Sequence, residues 1–207
     1  MSYAGFTLER LRRAFGITVR DQPLFQHLET LQPSPWLEEA LAQGQDLAVT
    51  SEKARGEFIV APVLMSCRTI LGHDLRIFSG ASLNVDPGAG LNGECDFILA
   101  RSQSSAVFEA PLMVILEAKK NDIEEGVGQC AAQMLAARMY NEKEGKAVPF
   151  MYGCVTTGET WQFLKLTGTD LLIHPTRIPL QELPKILWVL VQCVRDVDRE
   201  AAAFVTA

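Results

Sequence analysis

Two apolar segments of this chain carry charged side chains where a buried strand would normally have none. The first reads GECDFIL and contains Asp96, and the second reads VILEAK and contains Glu117 and Lys119. Burying a carboxylate or an ammonium without a partner is costly, so such groups usually bind something. Residues two apart in a strand point to one face, so Glu117 and Lys119 project together while Ala118 points away with its carbonyl free. The pattern predicts a site for one hard cation.

An aspartate on one apolar strand, then Glu-x-Lys on the next, then a helix, is an order of motifs that resembles the PD-(D/E)xK superfamily of restriction-endonuclease-like nucleases. The resemblance spans residues 52–166. It implies that Asp96 and Glu117 are metal-binding carboxylates and that Lys119 is the catalytic lysine. Cys95 stands where the motif name has proline, and that proline is often replaced in the superfamily.

The segment after the lysine extends the resemblance. A helix opening at Gly126 carries Gln129 and Gln133 at i and i+4, hence on one face. This arrangement resembles the glutamine signature that several branches of the superfamily place beside the metal. Solvated helix positions are the alternative interpretation of these glutamines. The Thr-Gly hairpin predicted within residues 152–163 is similar to one in the nuclease domains of type I restriction subunits and related uncharacterised bacterial proteins.

Residues 51–60 begin like a capped helix and then turn apolar. The segment resembles the first core helix of the superfamily, which often presents an acid to the active site. Glu57 is the predicted acid. Glu52 is the alternative, although a carboxylate so close to the helix start is also expected simply to complement the helix dipole.

The resemblance implies hydrolysis of phosphodiester bonds in nucleic acid, with DNA as the expected substrate. Mg²⁺, for which Mn²⁺ could substitute, prefers hard oxygen ligands, and these would come from Asp96, Glu117 and the carbonyl of Ala118. Lys119 would orient or deprotonate the attacking water, and Glu57 would serve a second metal or the water network. Gln129 and Gln133 would fix Lys119 or a phosphate by hydrogen bonding. A catalytically inactive nuclease-like domain that binds nucleic acid or a partner protein is the alternative function.

The order of helical and strand patterns predicts an α/β fold. The resemblance implies a restriction-endonuclease-like core, with a central mixed sheet of four to five strands flanked by helices. Residues 1–50 are predicted to be an N-terminal helical extension, and residues 51–207 a single nuclease-like core ending in a C-terminal helix. The core elements are predicted as helix 52–70, strands near 75–83, 93–100 and 112–118, helix 126–143, and strands near 149–156 and 160–166.

Length and hydropathy indicate one globular domain. The 207 residues are 48% hydrophobic, enough for one sizeable core. The longest apolar run near the C-terminus, at residues 186–191, is far shorter than the roughly 20 residues that a membrane span requires. No apolar signal-peptide region follows Met1, so a cytoplasmic location is expected. The C-terminal helix is predicted to pack in the core, with a contact in a homo-oligomer as the lesser alternative.

Net charge is the main argument against a nuclease. The chain has 25 acidic and 19 basic residues, a formal charge of −6, whereas proteins that grip duplex DNA non-specifically tend to be basic. Tight, sequence-blind binding by this chain alone is therefore disfavoured. The five cysteines are widely spaced, without a Cys-x-x-Cys pair, which disfavours a zinc site and predicts buried free thiols.

Overall fold

The computed structural model of the chain describes residues 2–48, 51–72, 74–102, 108–120 and 122–205. The α-helices in these ranges are α1 (Leu8–Phe15), α2 (Pro35–Leu47), α3 (Glu52–Arg55), α4 (Ala61–Leu71), α5 (Ile123–Lys143) and α6 (Leu183–Val205), with a π-helical turn over Gly56–Val60. The strands are β1 (Thr18–Asp21), β2 (Leu75–Ser82), β3 (Glu94–Arg101), β4 (Leu112–Ala118), β5 (Met151–Thr156), β6 (Thr160–Thr167), β7 (Asp170–Ile173) and β8 (Ile178–Pro179).

The strands form one mixed sheet with helices on both faces. Their order is β1-β7-β6-β5-β4-β3-β2, and β8 pairs with β6 beside this path. The faces can be assigned at β5, where successive side chains point in opposite directions. A Cβ added to Gly153 would meet Met134 of α5, whereas the hydroxyl of the preceding Tyr152 donates to Asp196 of α6. Helix α5 therefore covers one face and α6 covers the other.

The predicted α/β class, with a mixed sheet flanked by helices, is confirmed, but the predicted number of strands is wrong. Within the described ranges the sheet has eight strands and not four to five. The unexpected strands are β1, β7 and β8, which have four, four and two residues. Every residue of β1 is exposed, so no hydrophobic alternation marks it. The segment predicted as a helical extension thus holds α1 and α2 and also adds β1 to the sheet.

The carboxyl ends of four strands lie at one edge of the sheet. Strands β4 and β5 pair in parallel, as do β1 and β7, and both β5 and β7 are antiparallel to β6. Strands β1, β4, β5 and β7 therefore all end at one edge, which we name the carboxyl edge. Strand β3 is antiparallel to β4, so β3 begins at the same edge. Asp96, near the start of β3, and Glu117, near the end of β4, are consequently brought together there.

The burial of β4, of the cysteines and of the C-terminal helix agrees with their apolar sequences. Every residue of β4 is buried, as expected of a central strand covered on both faces. All five cysteines are buried free thiols, as predicted. Helix α6 packs Ile186, Leu187 and Leu190 into the core, which agrees with the packing predicted for the C-terminal helix. No helix in the described ranges is long and apolar enough to cross a bilayer.

One buried side chain fixes the position of β4 relative to α5. Asn141, in the last turns of α5, is fully buried. Its Oδ1 accepts from the N–H of Leu112 and its Nδ2 donates to the C=O of Leu112, both at 2.8 Å. Leu112 is the first residue of β4, so this pair of hydrogen bonds sets which residues of α5 face Glu117 at the other end of the strand.

We expect Asn141→Ala to lower the free energy of unfolding by roughly 2–5 kcal/mol, because both backbone groups of Leu112 would be left buried without partners. Urea denaturation measures this change. The control is Lys143→Ala on the exposed surface of the same helix end, for which we expect a change within about 0.5 kcal/mol. Equally small losses in both variants would show that the Asn141 pair does not hold the strand.

Candidate functional site

The two strands that carry the candidate carboxylates separate at the site. Pairing between β3 and β4 ends toward the carboxyl edge at Phe97 and Leu116. Asp96 is the next residue of β3 toward this edge, and its Oδ2 accepts from the N–H of Ala118 at 2.7 Å. The Asp96 carboxylate therefore takes the place of the β3 carbonyl that would otherwise accept from Ala118, at the point where β3 and β4 stop pairing. Its Oδ1 makes no hydrogen bond to the described residues and remains available to a ligand.

Glu117 is buried, with 2% of its surface exposed, and three side chains donate to its carboxylate. Lys119 Nζ and Gln129 Nε2 donate to Oε1 at 2.9 and 2.5 Å, and Gln133 Nε2 donates to Oε2 at 2.9 Å. Lys119 Nζ also donates to Gln129 Oε1 at 3.0 Å. The structure therefore brings four of the predicted site residues into one hydrogen-bonded network.

Burial dominates the electrostatics of this network. It raises the pKa of Glu117 to about 7. The nearby charge of Asp96 also raises this pKa, whereas the charge of Lys119 and the hydrogen bond from Gln133 lower it. Burial also raises the pKa of Asp96. For Lys119, burial lowers the pKa, but the Glu117 carboxylate outweighs this effect and holds the pKa above its ordinary value. Lys119 is therefore a stable ammonium in this arrangement.

Gln133 is a structural support of Glu117 that no solvent reaches. Its side chain is fully buried, and Nε2 donates to Glu117 Oε2 and, at 3.4 Å, to the carbonyl of Glu94. The Glu117 carboxylate and the Glu94 carbonyl can only accept, so the Gln133 amide must point its nitrogen at both of them. Its Oε1 is buried without a hydrogen-bond partner in the described structure. Because an unpaired buried oxygen costs free energy, this arrangement favours a requirement to hold Glu117 over a solvated helix position.

The helix acid closest to the network is Glu52 and not the predicted Glu57. Glu52 Oε1 accepts from the N–H of Lys120 at 3.2 Å, and the charge of Glu52 raises the pKa of both Asp96 and Lys119. Glu57 lines the same cleft but is 55% exposed and lies 3.9 Å from Lys53. The sequence left Glu52 open as the alternative to Glu57, because an acid at a helix start also complements the helix dipole. The sequence did not show that Glu52 lies beside the end of β4.

A cleft of about 420 Å³ opens at the carboxyl edge above Asp96 and Ala118. One wall is α3 with the π-helical turn, and the other is the edge strand β2. Four carboxylates line this space against one ammonium, and the polar lining consists of Glu52, Lys53, Glu57, Ser79, Glu94 and Asp96. The cleft is therefore acidic, which disfavours a bare anion and favours a ligand that brings cations with it.

The oxygen atoms that line the cleft suit Mg²⁺, which keeps several waters, better than they suit a metal ion whose ligands all come from the protein. Among the described residues no group of three or more His, Cys, Asp and Glu side chains is placed to hold a metal. Asp96 has a free oxygen, and the N–H of Ala118 faces it. In a strand the C=O of a residue points to the same side as its N–H, so the carbonyl of Ala118 faces the same gap. A few hard oxygens completed by water and phosphate are what Mg²⁺ takes, so the residues fit.

Comparison of the chain with family models, with curated proteins and with solved structures finds no match in any of the three. The functional interpretation of this site therefore depends on its own geometry and on the motifs of the sequence.

Glu117→Gln should change how stability depends on pH. The pKa of Glu117 is raised in the folded state, so its contribution to stability is fully present below the unfolded pKa and is lost as pH rises through the folded pKa. Without divalent ions, we expect the wild type to lose on the order of 1–3 kcal/mol of unfolding free energy from about pH 5 to about pH 8. The variant should lose less.

Urea denaturation at the two pH values measures the difference, and Glu125→Gln, at an exposed position of the first turn of α5, is the control. The control should follow the wild-type profile. A Glu117→Gln profile parallel to that of the wild type would contradict the raised pKa.

Proposed function

We propose that this chain hydrolyses phosphodiester bonds of nucleic acid, with DNA as the expected substrate, at the cleft of the carboxyl edge. The observation that carries the proposal is the meeting of Asp96, Glu117 and Lys119 where β3 and β4 separate. The mixed sheet with helices on both faces is compatible with a restriction-endonuclease-like core, to which the motifs bear a resemblance. The sheet carries three or four more strands than the resemblance implies.

The side chains divide the work of the reaction. Mg²⁺, or Mn²⁺ in its place, would be held by Asp96, the carbonyl of Ala118 and Glu117, and when bound it stabilises the charge that develops on the phosphate. Lys119 is held as an ammonium by Glu117. Its raised pKa favours donation of hydrogen bonds to phosphate oxygens and positioning of the attacking water over removal of a proton from that water.

The glutamines of α5 make this arrangement rigid. Gln129 both donates to Glu117 and accepts from Lys119, so it fixes the distance between carboxylate and ammonium. Gln133 holds the second oxygen of Glu117. Groups already oriented before substrate binds need little reorganisation in the transition state, which is the main source of electrostatic catalysis. Glu52, at the opening of the cleft, is the candidate for the water network.

One observation favours the alternative, a nuclease-like domain that binds nucleic acid or a partner protein without cutting. Both oxygens of Glu117 are already satisfied by three donors, so the network is complete as an ion pair supported by amides. In that case Lys119 would serve only to neutralise Glu117. Activity measurements on Lys119 variants separate the two functions.

We expect Lys119→Ala to reduce kcat by on the order of 100-fold or more while changing KM little, because the ammonium acts mainly on charge that appears in the transition state. Lys119→Arg keeps a positive charge beside Glu117 but not the compact geometry of an ammonium, so it should remain folded with low activity. The assay uses plasmid, linear duplex, single-stranded DNA and RNA with Mg²⁺ or Mn²⁺.

The matched control is Lys120→Ala, since Lys120 is exposed and contributes only its backbone N–H to Glu52. It should retain wild-type kcat. A wild type that cleaves none of the substrates, together with a Lys119→Ala protein destabilised by roughly 3–5 kcal/mol as expected for a broken buried ion pair, would reject the nuclease and leave the binding domain.

A further inference from the structure

A second pocket opens at the carboxyl edge, on the face of the sheet that α5 covers. It has a volume of about 330 Å³, and we name it the His174 pocket. Its apolar wall comes from Leu8, Val127, Ile173 and Pro175. Its polar groups come from Asp21, Glu124, Gln162, His174 and Arg177. Ligand pockets usually measure about 300–1,000 Å³, so this one suits a single ring system and not an extended ligand.

The sheet register places this pocket close to the cleft. Glu117 of β4 pairs with Val155 of β5, which pairs with Gln162 of β6. Two strand spacings separate Glu117 from Gln162, roughly 10 Å. The start of α5 lies between the two sites, since Val127 lines the pocket and a Cβ on the preceding Gly126 would lie 3.0 Å from Lys119.

His174 presents a fixed hydrogen-bond donor to this pocket. The residue is only 7% exposed, and its Nδ1 accepts from the N–H of Leu24 at 3.1 Å. Burial lowers the pKa of His174, so the ring is neutral and its proton lies on Nε2. Nε2 has no hydrogen-bond partner among the described residues. A neutral ring held this way can donate a hydrogen bond to an acceptor on a ligand.

The other polar groups are held by one another. Gln162 Nε2 donates to the carbonyl of His174 at 2.5 Å, and Gln162 Oε1 accepts from Arg177 Nε at 3.2 Å. Arg177 also pairs with Glu124. With Asp21 included and His174 neutral, the pocket carries one positive and two negative charges. That balance disfavours a phosphate and suits a neutral heterocycle that both donates and accepts hydrogen bonds.

The charge of the whole chain points in the same direction. A net charge of −6 disfavours an affinity for nucleic acid that comes mainly from neutralising phosphates. Stacking and hydrogen bonds to unpaired bases supply affinity without that requirement. A base that is paired and stacked inside a duplex could not enter a pocket of this size.

We propose that the His174 pocket holds an unpaired base of a DNA strand whose neighbouring phosphate lies at the cleft. The substrate of the site is then single-stranded DNA. This inference rests on the proposed function for the placement of the phosphate, but base binding is measurable without cleavage.

The test is the fluorescence anisotropy of a labelled single-stranded DNA oligonucleotide without divalent ions. Removing one base at a time, by abasic substitution along the strand, should weaken binding to the wild type by about tenfold at one position and little elsewhere. His174→Asn keeps an oxygen at the place of Nδ1 for Leu24 and removes the Nε2 donor, so it should also lose about tenfold. The abasic position and His174→Asn combined should weaken binding no more than either change alone, because both remove the contact between His174 and the base.

His174→Gln is the matched variant, since its amide reaches as far as Nε2 and can donate into the pocket. It should bind more tightly than His174→Asn, and unchanged melting temperatures would exclude unfolding as the cause of any loss. Cleavage of DNA with a flat abasic profile would overturn the pocket and leave the nuclease. A position-specific profile without cleavage would overturn the nuclease and support the pocket. Tighter binding of blunt duplex than of single strands would overturn the pocket.

Discussion

The buried carboxylate of Glu117 is the constraint on which the site depends. An uncompensated charge at that depth would cost several kcal/mol, so the fold must bring donors to it. Lys119 comes from the same strand, and Gln129 and Gln133 come from α5. The helix can meet this demand only in one register. Asn141 sets that register at the opposite end of β4.

The strand topology places the Glu117 network and the candidate ligand groups at one edge of the sheet. Parallel strands end at one edge, and the separation of β3 from β4 frees the Asp96 carboxylate beside the Ala118 backbone. The first turns of α5 rise from the same edge and divide it into an acidic cleft on one side and the His174 pocket on the other. A cation and phosphate on one side and an unpaired base on the other would give a nucleotide strand two points of attachment. A chain with net negative charge could in this way position a polyanion.

The candidate site was more predictable from sequence than the sheet was. Glu117 and Lys119 stood out because a charge inside an apolar strand demands a partner, and the spacing of Gln129 and Gln133 placed both on one helix face. Glu52 was undervalued because its position at a helix start has an ordinary local explanation. Strand β1 lacks a sequence signal, since its four exposed residues pair only with the distant β7 and are defined by pairing and not by pattern. Strand β7 follows β6 through a two-residue turn at Gly168 and Thr169, a hairpin that was not predicted. The His174 pocket draws residues from β1, α5 and the segment after β7, a proximity that only the folded chain contains.

A crystal structure with Mn²⁺ would show whether Asp96, Glu117 and the Ala118 carbonyl form a cation site. We expect an anomalous scattering peak within coordination distance of all three, with Lys119 at the border of the same cleft. If Mn²⁺ binds only elsewhere on the chain and the Lys119–Glu117 pair is unchanged, these residues do not form a cation site.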